Sequence, residues 1–155
     1  MCAWGYAGPY NCLSCYGCME SCDHLFFHCG FSRRIWYSVI LDCGFSNPPF
    51  DWDSVVVWCV AKLKGKSLKV CLAKLCLGAC IYHLWRQRNA LLHGNCPRSE
   101  EAIVSQIRWE VRSRILARRS VQIDDKDRPL INFVAACSVV FLVAGLGLCI
   151  QYLLE

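Results

Sequence analysis

Cys12, Cys15, His24 and Cys29 stand in the order C-x2-C-x8-H-x4-C, and no other pattern in the chain constrains its folding so tightly. A C-x2-C turn lets two sulfurs point at one centre, helped by free backbone N–H groups in the turn. The eight-residue loop returns the chain, and His24 and Cys29 then complete a tetrahedron around a closed, structural Zn2+. Thiolate binding neutralises much of the metal charge and replaces a core too small to form unaided. The spacing leaves alternatives open. Cys18 and Cys22 lie inside the loop and can substitute for a cysteine partner, and His28 can stand in for His24. In an oxidising compartment, Cys12–Cys29 or Cys18–Cys22 disulfides compete with the metal.

The chain holds 14 cysteines in 155 residues. A disulfide scaffold is the default for a short secreted chain with that content. The start, Met1-Cys2-Ala3-Trp4-Gly5-Tyr6, lacks a basic stretch followed by an apolar one, so a signal peptide is not expected and a reducing compartment is. There cysteines serve as metal ligands or as small core hydrophobes. Cys59, Cys71, Cys76 and Cys80 fall in helical apolar patterns and read as core.

Residues 1–11 contain Gly5, Gly8, Pro9 and Asn11 and read as an irregular lead-in. The spacing predicts a helix over 32–42, with Ser32 as N-cap, Phe31 stapled on Trp36, and Ile35, Trp36, Val39 and Ile40 on one face. Gly44, Asn47, Pro48 and Pro49 break it. Residues 52–63 are ambiguous through Val55–Val57. The acidic start at Asp51 and Asp53 and the basic end at Lys62 and Lys64 favour a helix. A longer helix is expected over 66–93, with Leu72, Leu75, Cys76, Ala79 and His83 in one stripe, ended by Gly94, Asn95 and Pro97. Another is expected over 99–122. There Ser99 serves as N-cap, Glu100 and Glu101 occupy the first turn, and Val104, Ile107, Val111 and Ile115 form the apolar side. Residues 123–129 form a charged linker.

Lys plus Arg number 17 against 12 acidic residues. Arg108, Arg112, Arg114, Arg118 and Arg119 cluster, either as a basic patch for phosphate or anionic lipid or as a solvated helix face. On RNA or DNA they would make salt-sensitive, sequence-independent phosphate contacts. Trp36, Trp52, Trp58, Trp85 and Trp109 are able to stack on bases, but their helical settings favour core packing. His83 reads as a packed core histidine and His93 as a helix-end residue. No glycine-rich phosphate loop and no Ser-His-Asp arrangement is present in the sequence. The adjacent Asp124 and Asp125 sit beside Lys126 and Asp127 and read as a solvated turn rather than a polymerase metal pair. No enzymatic activity is expected.

Three stretches carry a resemblance. Cys12-Leu13-Ser14-Cys15 is followed by Glu20-Ser21-Cys22-Asp23-His24-Leu25-Phe26-Phe27-His28-Cys29, and then by Phe31-Ser32-Arg33-Arg34-Ile35-Trp36. Together they resemble the zinc-binding domain at the C-terminal end of plant non-LTR retrotransposon reverse transcriptases. Lys62-Leu63-Lys64-Gly65-Lys66-Ser67-Leu68 and Tyr82-His83-Leu84-Trp85-Arg86-Gln87-Arg88-Asn89-Ala90 are similar to the sequences that follow that knuckle. The resemblance covers about residues 12–118 and implies metal ligands at Cys12, Cys15, His24 and Cys29. It also implies a non-catalytic module and points to nucleic acid as its partner. Cys18, Cys22 and the apolar tail depart from the family pattern.

Residues 130–154 carry no charge, with Asn132, Ser138, Gln151 and Tyr152 as the polar interruptions. As a helix rising about 1.5 Å per residue the run spans about 37 Å, against a hydrocarbon core of about 30 Å. A helix apolar all round is buried in protein or in lipid, and a chain this small has little core to wrap it. Arg118, Arg119, Lys126 and Arg128 precede the run and no Lys or Arg follows it. A tail-anchored, single-pass membrane protein with a cytosolic N-terminal domain is expected, the alternative being a cytoplasmic or nuclear protein. The expected fold is mostly α: a small zinc knuckle, a helical domain over the remainder of 12–122, and a C-terminal transmembrane helix. The function classes that remain are a nucleic-acid-binding retroelement module, a membrane-anchored structural or protein-interaction module, and a decayed retroelement fragment.

Overall fold

The computed structural model describes residues 11–117. A knuckle loop leads into a π-helical turn, His24–His28, followed by α1 (Gly30–Asp42), α2 (Trp52–Lys62), α3 (Leu68–Leu92) and α4 (Glu100–Ala117). The described residues are thus mostly helical, as the periodicity predicts. The proposed transmembrane segment 130–154 lies outside them, as do Arg118 and Arg119.

α1 begins two residues before the expected start. Its N-cap is Cys29, in extended backbone with φ −61° and ψ 131°, so Ser32 is not the cap. The Ser32 hydroxyl instead donates to the Leu25 carbonyl at 2.5 Å, tying the π-turn to α1. α2 begins where Asp51 accepts from the Ser54 N–H at 2.8 Å. α3 begins at the Ser67 side chain, which accepts from Val70, and His93 terminates it. At the start of α4, the Ser99 hydroxyl accepts from the Ala102 N–H at 3.2 Å. Asp51, Ser67 and Ser99 each satisfy an N–H that the first helical turn cannot pair internally.

α1, α3 and α4 pack against one another, and the π-turn seats on α1 and α3. Ile35, Trp36, Val39 and Ile40 are all buried from α1, as are Ile103, Val104, Ile107, Val111 and Ile115 from α4. From α3, Leu72, Cys76 and His83 are buried as expected, while Leu75 and Ala79 are half-buried at the edge. Burying a large aliphatic or Phe side chain contributes about 1.5–3 kcal/mol, so these helical faces drive assembly. Cys43, outside any helical stripe, is also in the core, its sulfur 3.5 Å from that of Cys76.

The tryptophans do not all pack as their helical settings suggest. Trp36 is fully buried and donates its indole N–H to the Pro49 carbonyl at 3.0 Å. Trp58 is half-buried and meets Trp36 edge-on. Trp52, Trp85 and Trp109 are exposed. The last two stand on the outward sides of α3 and α4, where helical periodicity alone does not forbid an aromatic.

α3 is long and apolar enough, by length and composition, to cross a membrane, and half of its most apolar window is buried inside the protein. Two of its polar side chains, His83 and Arg88, meet acidic residues within the fold. His83 Nε2 lies 3.1 Å from a Glu110 oxygen, although out of line for a hydrogen bond. Burial pushes the His83 imidazole below its ordinary pKa, leaving it neutral in the core. Arg88 reaches Glu20 of the knuckle loop at 2.9 Å, and both side chains are almost wholly buried. Removing one partner of such a buried pair takes a counterion from the other charge. Glu20→Ala is therefore expected to cost about 3–5 kcal/mol in denaturant unfolding. Much of that loss should return in the Glu20→Ala, Arg88→Met double variant.

Candidate metal centre

The knuckle is built by backbone before any ligand is considered. The Tyr16 N–H donates to the Cys12 carbonyl and the Cys12 N–H to the Cys18 carbonyl, both at 2.8 Å. Asn11 and Met19 form a single antiparallel bridge that closes the loop. Tyr16 sits at φ 57°, a left-handed conformation uncommon for a bulky side chain and found where surrounding structure demands it. The turn aims the Ser14 and Cys15 N–H groups at the Cys12 sulfur, and the Gly17 N–H at that of Cys15. These are the free turn N–H groups that a C-x2-C motif requires.

The second half of the site comes from the π-turn. The Ser21 hydroxyl accepts from the His24 N–H at 3.0 Å, and the π-turn closes with the Cys29 N–H on the His24 carbonyl at 2.8 Å. Leu25, Phe26 and Phe27 point into the core. Phe27 packs edge-on against Trp36 with centroids 5.8 Å apart. With the apolar side anchored, His24 and Cys29 turn to the other side, toward Cys12 and Cys15.

The four ligand atoms of Cys12, Cys15, His24 and Cys29 all lie within 4.8 Å of one another. The Cys12 and Cys29 sulfurs are 3.8 Å apart, and the Cys15 sulfur is 3.3 Å from His24 Nε2. The first separation is far too long for a disulfide, which needs about 2.05 Å, and suits two sulfurs sharing an ion. A metal ion fits among these donors. Cys12 and Cys29 are buried, whereas Cys15 is exposed, so the site is reached from one side.

The local electrostatics prepare the two sulfurs of the turn differently. The Gly17 N–H is the main cause holding the Cys15 thiol down to about 6. Burial pushes the Cys12 thiol up to about 12, so its ionisation calls for a cation beside it. Thiolate, not thiol, is the ligand.

The open alternatives resolve against the competing residues. Cys18 and Cys22 are exposed and stand outside the cluster. His28 is turned away and pairs with Asp23 at 3.2 Å. Sequence reading missed the structural work of the neighbouring residues. Asp23 accepts from the Trp52 N–H at 2.6 Å, linking the loop to the start of α2. Glu20 pairs with Arg88. The signal was present in the block Glu20-Ser21-Cys22-Asp23, whose polar residues border a buried apolar run.

The basic cluster of α4 is less available than its sequence suggests. Arg108 pairs with Asp42 of α1 at 2.8 Å, so its charge serves helix packing. Arg112 is half-buried and Arg114 exposed. Three of the five clustered arginines thus lie among the described residues, each in a different setting, and Arg118 and Arg119 lie outside them.

Compared with protein-family models, curated proteins and solved structures, the chain finds no match.

Cys15→Ala removes one ligand of four and is expected to abolish stoichiometric metal binding, read by elemental analysis of the reduced, purified protein. Cys18→Ser and Cys22→Ser should retain it. Metal loss in either serine variant would move the site.

Proposed function

We propose that this chain is a non-catalytic zinc-binding module of the kind found at the C-terminal end of plant non-LTR retrotransposon reverse transcriptases, and that it binds nucleic acid. The observation that carries the reading is the meeting of three sulfurs and one imidazole nitrogen. A tetrahedral zinc with Zn–S of about 2.3 Å and Zn–N of about 2.0 Å separates its sulfurs by about 3.8 Å and sulfur from nitrogen by about 3.5 Å. The Cys12–Cys29 and Cys15–His24 separations of 3.8 and 3.3 Å lie close to those edges. Cys3His is a closed structural donor set: protein ligands fill every position, leaving none for water or substrate. Zinc there holds the loop rather than performing chemistry.

The family reading rests on the resemblance of the motif block. Glu20, Ser21, Asp23, His24, the apolar Leu25-Phe26-Phe27 run, Cys29, Ile35 and Trp36 each have a structural task around the site. A net charge of +5 suits a polyanionic partner. We further propose that residues 130–154 anchor the chain in a bilayer with the knuckle in the cytosol. Their uncharged run supports this.

Native mass spectrometry of the reduced protein should find one zinc per chain. Binding to mixed-sequence RNA or DNA should weaken linearly in log–log form as salt rises. No binding at low salt would remove the nucleic-acid function and leave the zinc fold standing. Membrane pelleting that resists carbonate, and disappears when residues 130–154 are deleted, is the expected behaviour of the anchor.

A further inference from the structure

A shallow cleft of about 320 Å³ opens beside the metal centre, lined by Gly30, Arg33, Arg34, Tyr37 and Phe50. Its volume is at the lower end of the roughly 300–1,000 Å³ that ligand pockets occupy. The first two turns of α1 form one wall, and Phe50, from the segment before α2, forms the other. Because Cys29 is both metal ligand and N-cap of α1, ordering the metal loop also orders this wall.

The lining pairs cations with flat rings. The Arg33 guanidinium carbon lies 4.0 Å from the Phe50 ring centroid. Tyr37 and Phe50 are 6.2 Å apart and tilted by 39°, and Tyr37 is 41% exposed. Among the described residues Arg33 has no carboxylate partner. Arg34 sends Nε and Nη2 to Glu100, while its Nη1 lies over Gly30, 3.3 Å from where a β-carbon would stand. Glycine at position 30 thus leaves room for that guanidinium at the cleft edge.

We propose that this cleft, rather than the arginine cluster of α4, takes one nucleotide of a single-stranded nucleic acid, the base stacking on Tyr37 and the Arg33–Phe50 pair and the phosphate meeting Arg33. The proposal rests on the nucleic-acid reading above and gives it a place. Base faces are available in single strands and hidden in a duplex, and aromatic rings and guanidinium planes are the surfaces that stack on them. The charge is complementary to phosphate. The cleft is concave, whereas insertion into a lipid surface calls for a protruding apolar face.

The test uses the full-length, zinc-loaded protein and fluorescein-labelled single-stranded RNA and DNA of roughly 12 nucleotides, within the site sizes of about 4–16 known for such surfaces. The corresponding duplex is the comparison. Single strands should bind more tightly than the duplex. Tyr37→Ala should lower affinity about tenfold, with Tyr37→Phe close to wild type. Arg33→Ala should weaken binding and reduce the log–log salt slope by about 0.7, one phosphate contact on a single strand. Arg114→Ala, at an exposed α4 position, is the reference for general electrostatics. Wild-type affinity in Tyr37→Ala, or equal losses in Arg33→Ala and Arg114→Ala, would overturn the cleft while leaving nucleic-acid binding intact. A wild type that binds no strand sinks both. Zinc content and far-ultraviolet circular dichroism check each variant's fold. Should Tyr37→Ala fail that check, cross-linking of wild type to a 4-thiouridine oligonucleotide decides: adducts on Tyr37 or Phe50 support the site, and adducts confined elsewhere reject it.

Discussion

Cys29 presents its sulfur to the Cys/His cluster and, through the same backbone, begins the first core helix. No linker separates the metal cluster from the bundle, so the two cannot move independently. The π-turn just before it has one side facing the ligands and the other, Leu25 to Phe27, in the aromatic core. A five-residue π-turn is an unusual device, and such turns occur often at functional sites. Here it lets His24 and Cys29 face the knuckle while three consecutive apolar side chains are buried. Everything downstream inherits its position from that turn.

The knuckle is also fastened at its flanks. Glu20 ties it to α3 through Arg88, Asp23 ties it to α2 through the Trp52 N–H, and the Ser32 hydroxyl ties α1 back to Leu25. These three contacts differ in kind. The buried Glu20–Arg88 pair contributes register at a desolvation cost. The Asp23 contact satisfies an otherwise orphaned helix N–H. The Ser32 hydroxyl finds an acceptor in a carbonyl of the π-turn, so a buried polar group is not left wanting. A metal ion held by the cluster would therefore be linked to helix packing: whatever stabilised one of them would raise the other.

Outside the metal region, polar pairs mark how the helices meet. Arg34–Glu100 and Arg108–Asp42 both join α1 to α4. Partly exposed pairs of this kind add little stability, but they select which faces meet. They also withdraw charge from the surface.

Much of this fold was legible in the chain. The ligand spacing marked the quartet, the apolar stripes of α1 and α4 marked their buried faces, and Asp51 and Ser99 marked helix starts, because each of these signals is local and spans a turn or two. The choice among Cys18, Cys22 and His28 was not legible, since spacing alone allows several tetrahedra. In the fold Cys12, Cys15, His24 and Cys29 come together, while His28 pairs with Asp23. Nor could the sequence show which tryptophans face out, that Cys43 meets Cys76, or that Arg88 and Arg108 are spent on Glu20 and Asp42. Those partners lie dozens of residues apart, and only the packing of α1, α3 and α4 brings them within reach. By itself the sequence determined the local geometry, a knuckle and amphipathic helices. Tertiary packing decided which charges, rings and sulfurs remain available, because burial and pairing depend on neighbours the chain reaches only when folded.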